Sequence, residues 1–199
     1  MPSIDWQTLG TGDVLGHLRS DLKRTSSSAW VIGPWIDGFF AEILVTSLPA
    51  KAVLRVVTRP SSGANSSFAE HALAARAYFR ERSNTVVRLL TSLHAKLVVI
   101  DEHVVYCGST NWYRYSLQES CEIVFRGPVA SVSGLLDQIQ VIWDQASDDE
   151  QPIDEISKWR ETAEGYMKEV IDPVAEAKLK EVPGSFVIRR PARRRGKLT

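Results

Sequence analysis

The chain has 199 residues, 44% of them hydrophobic and 24% charged, and its 24 basic residues balance 24 acidic ones. This ordinary globular composition fits one domain with an appendage, and its two cysteines, Cys107 and Cys121, offer neither a disulfide framework nor metal-ligand spacing. No apolar run approaches the ~18 residues of a membrane span, and the opening MPSIDWQTLG lacks the basic-then-apolar order of a secretion signal, so a soluble cytoplasmic protein with no membrane partner is expected.

Thr11 to Lys23 reads as a first helix, with Thr11 as its cap and Val14, Leu15, Leu18 and Leu22 as its apolar side. Ala29–Gly33 reads as a buried strand stopped by Pro34. Asp37 then caps a helix through FFAEILVTSL. Ala52–Thr58 is a second strand, followed by the loop RPSSGANSS. Ser67 and Glu70 form a capping-box pattern ahead of Phe68, Ala72, Ala75 and Phe79 at helical spacing. Thr85–Leu90, HAKLVVI and VVYCG give three more strands, the last two joined by a tight turn at Asp101-Glu102-His103. CEIVFRG is a sixth strand, and Val129, Val132, Leu136, Ile139 and Trp143 mark another helix. Strands mixed with helices indicate an α/β domain with a mixed sheet flanked by helices.

The expected boundaries are a domain over residues 1–148, an amphipathic helical extension over 149–183 and a basic tail over 184–199. The tail carries six basic residues and no acid, so residues 1–183 hold 24 acidic against 18 basic residues. A basic tail on an acidic body points to a polyanionic partner or to a solvated end.

One stretch is chemically unusual. On an extended HAKLVVI strand, His94 and Lys96 share a face, about 7 Å apart, with Asp101 of opposite parity at the turn. If the hairpin returns antiparallel, Ser109 and Asn111 come back beside them. An imidazole, an ammonium, a hydroxyl and a carboxamide then gather: a nucleophile and three donors suited to phosphate oxygens. Gly108 would let the backbone approach a ligand closely. Glu122 opens the next strand and could orient the His94 ring, as a carboxylate does in a triad.

The spacing His94-x-Lys96, four residues, Asp101, six residues, Gly108-Ser109-x-Asn111 resembles, without a gap, the HKD motif of the phospholipase D superfamily. The resemblance covers about Ala29 to Trp143, with Glu122 in place. It implies a phospholipase D-like domain and a catalytic set of His94, Lys96, Ser109, Asn111, Glu122 and Asp101, although the parity of Asp101 suggests a supporting role. It also implies phosphohistidine chemistry that uses no cofactor and no metal, with one His attacking phosphorus and a second moving the proton. Most relatives carry two motifs in one chain, whereas this chain has one. The resemblance therefore points to the small single-motif nucleases and to a homodimer with a composite site.

Substrate-binding candidates are Trp35, Arg59, Trp112 and the tail residues Arg193, Arg194 and Arg195. Trp35 and Trp112 fit a stacking surface and equally fit core or dimer packing. The tail fits a nucleic-acid arm or a plain solvated end. The function expected is a metal-independent phosphodiesterase cleaving nucleic acid, DNA before RNA. The alternatives are a phospholipid phosphodiesterase or phosphatidyltransferase, and a non-catalytic nucleic-acid-binding module of the same fold.

Overall fold

A computed structural model describes residues 5–60 and 66–148. The expected extension and tail, Arg193, Arg194 and Arg195 included, lie outside the described residues. The elements run β1 (Gln7–Gly10), α1 (Asp13–Lys23), β2 (Ser28–Ile32), α2 (Gly38–Ser47), β3 (Val53–Thr58), α3 (Ser66–Glu81), β4 (Thr85–Leu89), β5 (Leu97–Ile100), β6 (Val104–Gly108), α4 (Arg114–Gln118), β7 (Ile123–Pro128), a single 3-10 turn at Val129–Ser131, and α5 (Leu135–Gln145).

The strands form one mixed sheet in the order β1-β7-β6-β5-β2-β3-β4. β2, β3 and β4 are parallel, and every other pairing is antiparallel. Period-two alternation divides the apolar side chains between two faces. On one face Val31, Val56, Val98, Ile100, Tyr106 and Val124 pack with Leu18 and Leu22 of α1, Phe40 and Leu44 of α2, and Ala75 and Phe79 of α3. On the other, Trp30, Ile32, Val57, Val99 and Val105 meet Ile139, Ile142 and Trp143 of α5. Trp30 and Trp143 lock edge to face with ring centres 5.2 Å apart.

A buried polar knot ties α1 to β6 and β7. The Asp21 carboxylate accepts from Arg126 Nε at 2.8 Å, Tyr106 Oη at 2.5 Å and Arg24 at 2.7 Å. Burial opposes the charge on Asp21, but these donors more than offset it and leave its carboxyl below the ordinary value. Burial and the same carboxylate push the Tyr106 phenol far up.

Three local expectations are corrected. The first helix starts at Asp13, with Gly12 at its cap in a positive-φ conformation. Thr11 instead donates to the Ser120 carbonyl and accepts from the Glu122 N–H at 2.9 Å. The helix expected from Val129, α5, begins at Leu135, which leaves Val129 and Val132 outside it. The strand expected from His94, β5, begins at Leu97. Its neighbour β2 ends at Ile32, the Gly33 N–H turns to the Val57 carbonyl on β3, and Pro34 has no N–H. Residues 94–96 therefore find no ladder on that side, and the alternation argument does not apply to them. Two elements went unrecognised: the edge strand β1 and the five-residue α4.

Candidate active site

The topology brings one rim together. The carboxyl ends of β2, β3, β4 and β6 and the amino ends of β5 and β7 share one edge of the sheet. Outside the carboxyl ends of parallel strands, where the strand order reverses, is where open α/β sheets place ligands. His94, Lys96, Ser109, Asn111, Glu122, Trp35 and Arg59 all belong to this rim. Asp101 belongs to the opposite one.

His94 is exposed, and among the described residues no hydrogen bond reaches its imidazole. Lys96 is half-buried and donates from Nζ to the His94 carbonyl at 3.1 Å. That bond folds the Lys96 stem back across the loop and leaves the ammonium two further protons.

At the end of β6, a Cβ on Gly108 would stand 2.1 Å from the Ile123 carbonyl oxygen. The glycine makes room for the neighbouring strand, which corrects the expectation that it admits a ligand. Ser109 continues the β6–β7 contact. Its N–H donates to the Ile123 carbonyl at 3.1 Å, and its Oγ accepts from the Ile123 N–H at 3.2 Å.

The hydroxyl proton of Ser109 goes to Glu122. The other carboxylate oxygen of Glu122 accepts from Ser116 at 3.1 Å and Ser120 at 3.0 Å. Three hydroxyls thus hold Glu122, and none of its bonds among the described residues goes to His94. Its expected task of orienting the ring has no hydrogen bond behind it here. Sequence spacing gives no sign of Ser116 and Ser120, because they act through the short α4 and the turn after it.

Asn111 is half-buried, and its Oδ1 is buried with no hydrogen-bond donor. Trp112, next in the chain, is fully buried. It stacks on Phe40 with ring centres 5.1 Å apart, and its Nε1 donates to the Ile32 carbonyl at 2.9 Å. A Cβ on Gly33 would stand 2.3 Å from the Trp112 ring, so Gly33 is the floor on which that ring lies. Trp112 is therefore core and offers no stacking face, which corrects its placement among the substrate-binding candidates.

The segment is fixed further by Asp37, whose two oxygens cap two helices. One accepts from Phe40 N–H of α2 at 2.9 Å, the other from Arg114 N–H of α4 at 2.8 Å. Asn111 is thus held between β6 and a rigid Trp112–Asp37 anchor.

Trp35 is half-buried, and its carbonyl accepts from the Trp112 N–H at 3.1 Å. The Arg59 guanidinium lies 5.6 Å from the centre of its ring. Burial lowers the Arg59 pKa, though the group stays charged at neutral pH.

Asp101 stands one strand length away, in the β5–β6 turn. Its carboxylate accepts from the N–H groups of Ser26, Ser27 and Ser28 at 2.7, 2.8 and 3.0 Å and from the hydroxyls of Ser26 and Ser27. Burial works against its charge, and the main-chain donors overcome it, holding the carboxyl well below the usual carboxylate range. It pins the start of β2 to the hairpin and is too far from His94 to touch a shared ligand. Among the described residues, no group of three or more His, Cys, Asp and Glu side chains is placed to hold a metal ion, and no helix is long and apolar enough to cross a membrane.

Residues 18–146 match the family described as cardiolipin synthase, PLD-like domain. No curated protein is similar enough in sequence to match. Among solved structures, the phospholipase D family member Nuc from Salmonella typhimurium aligns with a TM-score of 0.62 at 14% identity, covering 75% of this chain and 100% of that one. NucT from Helicobacter pylori aligns at 0.60 and 15%, covering 73% and 99%. The phosphatidylserine synthase of Haemophilus influenzae Rd KW20 aligns at 0.54 and 12%, covering 92% of this chain and 49% of that one.

Proposed function

The chain belongs to the phospholipase D superfamily, and from that premise we propose that it is a metal-independent phosphodiesterase that cleaves nucleic acid, DNA before RNA, at a site completed by a second copy of itself. The observation that carries this reading is the rim itself. An exposed, unbonded imidazole at His94, an ammonium at Lys96 and a carboxamide at Asn111 with a donorless oxygen stand at the ends of one hairpin.

In the first step the His94 nitrogen attacks phosphorus. A P–N bond forms, the P–O bond to the leaving group breaks, and His94 of the partner subunit gives that oxygen a proton. Water then attacks the phosphohistidine, losing its proton to the same partner imidazole, and the P–N bond breaks. Lys96 and Asn111 hold the non-bridging oxygens as charge builds. Ser109 joins them only by releasing its proton from Glu122, so Glu122 governs how readily that donor turns to substrate. A single pair of imidazoles in different protonation states needs two chains, because this sequence carries one motif.

The test is a hydrolysis panel of single-stranded DNA, duplex DNA, RNA and phosphatidylglycerol in excess EDTA, with the assembly mass measured in the same buffer. Nucleic-acid cleavage by a dimer under chelation is expected. Turnover of the lipid alone would favour phosphatidyl transfer, which the phosphatidylserine synthase likeness keeps in view. Activity abolished by EDTA, or a fully active monomer, would end the proposal.

A further inference from the structure

Among the described residues, five buried side-chain polar atoms lack a hydrogen-bond partner: Arg59 Nε, Arg82 Nε, Thr85 Oγ1, Thr91 Oγ1 and Asn111 Oδ1. Leaving such a group unpaired costs about 1–3 kcal/mol, so their distribution is informative. Thr85 opens β4 on the far rim. Arg82 secures itself through its other nitrogens, donating to the carbonyls of Leu48, Pro49 and Ala52 at 3.3, 2.6 and 2.7 Å. The other three, Arg59, Thr91 and Asn111, stand on the rim that carries His94.

Arg59 differs most from Arg82. Among the described residues neither a carboxylate nor a carbonyl accepts from its guanidinium, which lies over the face of Trp35. The surroundings fix its location. The carbonyl of Thr58, just before it, accepts from Leu90 N–H at 2.9 Å, and the carbonyl of Trp35 accepts from Trp112 N–H beside Asn111. The chain has therefore built a planar cation two strands from β5, about 10 Å across the sheet, with no counter-charge on it among the described residues. A guanidinium stacked on an indole keeps its hydrogen-bonding edge free and loses little freedom on binding an oxyanion.

We propose that Arg59, held by Trp35, is a second phosphate subsite that grips the phosphate next to the one cleaved, so that the substrate is a polynucleotide rather than an isolated diester. This rests on the phosphodiesterase reading of the rim. The offset from β5 is too large for the main chain at Arg59 to serve the reacting phosphate, and it suits a neighbour along the same strand. A polynucleotide supplies that neighbour at every step, whereas a phosphatidylglycerol headgroup supplies none.

The experiment is equilibrium binding by the full chain carrying His94→Asn, which stops turnover, to a fluorescent single-stranded pentadeoxynucleotide over a range of salt. A dinucleoside monophosphate, with one phosphate, serves as competitor. Adding Arg59→Met is expected to weaken the pentanucleotide about tenfold and to make the slope of log affinity against log salt shallower by about 0.7, the value for one phosphate contact on a single strand. The dinucleotide should lose at least fivefold less. Arg59→Lys, which keeps the charge and stem, should recover part of the affinity and all of the salt slope, and it serves if the Met variant does not fold. Equal weakening of both ligands would place Arg59 on the scissile phosphate and overturn the proposal. So would unchanged pentanucleotide affinity. Binding lost as expected by a protein that cleaves nothing would keep the subsite and remove the enzyme.

Discussion

The two rims of the sheet spend their polar groups in opposite ways. At the Asp101 rim, one carboxylate takes five hydrogen bonds from Ser26, Ser27 and Ser28. At the His94 rim, among the described residues, the imidazole has no hydrogen bond, and Asn111 and Arg59 hold buried atoms without partners. Both rims border the same β5–β6 hairpin, one at its turn and the other at its open ends, so the contrast is not one of packing quality. A saturated group stabilises the fold and has nothing left to offer a ligand. An unsatisfied one costs stability and is recovered only when something binds. The motif residue Asp101 thus belongs to the architecture, and His94 to the chemistry.

Removing the least bonded group should do the most to function and the least to the fold. His94→Asn is expected to lower diester turnover by at least about 10³-fold, the loss of the attacking nucleophile. Its unfolding free energy should stay within about 0.5 kcal/mol of the parent, as for a surface change. Turnover above a tenth of the parent value, or a large drop in the urea midpoint, would erase the contrast between the rims.

Trp112 sharpens it from the other side, because it follows Asn111 directly yet is wholly core. Trp112→Ala should cost about 3–5 kcal/mol through the lost Phe40 stack and the emptied floor above Gly33. Any loss of activity should track unfolding. Full stability with weakened substrate binding would return Trp112 to the ligand side.

Asp101→Asn is expected to cost about 1–2 kcal/mol, since an amide cannot accept from every donor that the carboxylate collects and the site is part exposed. The parent's folded carboxyl lies below its unfolded value. Its contribution is therefore complete above the ordinary carboxylate range and is lost as pH falls through about 4 and below. Urea unfolding from pH 7 to pH 3 should show the gap between parent and variant narrowing on acidification. A gap that stays constant would mean the carboxylate's charge contributes nothing.

Much of this was legible in the residues. The hairpin, its antiparallel return and the Asp37 cap follow from alternation, turn chemistry and cap preference, each a local rule. The hairpin's return already assigns His94, Lys96, Ser109 and Asn111 to one rim, and the turn position of Asp101 already sets it apart from them. What stayed hidden depended on contacts distant in sequence. Gly33 reads as a strand end until Trp112, 79 positions on, is laid over it. Gly108 reads as ligand space until the Ile123 carbonyl fills it. The cradle of Glu122 needed Ser116, on a five-residue helix too short to show a period, and Ser120, just past that helix's end. β1 has one buried residue in four, so its alternation is too brief to separate from a loop.

The smallest test lies inside the saturated rim. Asp101 and Glu102 both adopt the left-handed region, with φ of 51° and 58°, and His103 N–H closes the turn on the Ile100 carbonyl at 2.9 Å. Such a turn favours glycine, because a Cβ in that conformation costs about 1–2 kcal/mol. Glu102 is exposed and its side chain makes no hydrogen bond among the described residues, so nothing offsets that cost. Glu102→Gly should recover it less the ~0.5–1 kcal/mol of added freedom in the unfolded chain, a net gain of about 0.5 kcal/mol. Asp101→Gly relieves the same strain but loses the anchor on Ser26–Ser28 and should be net destabilising. Opposite signs at adjacent positions of one turn would isolate the anchor from the backbone. Two gains would show that the five hydrogen bonds to Asp101 merely replace water, and the contrast between the rims would then rest on the His94 side alone.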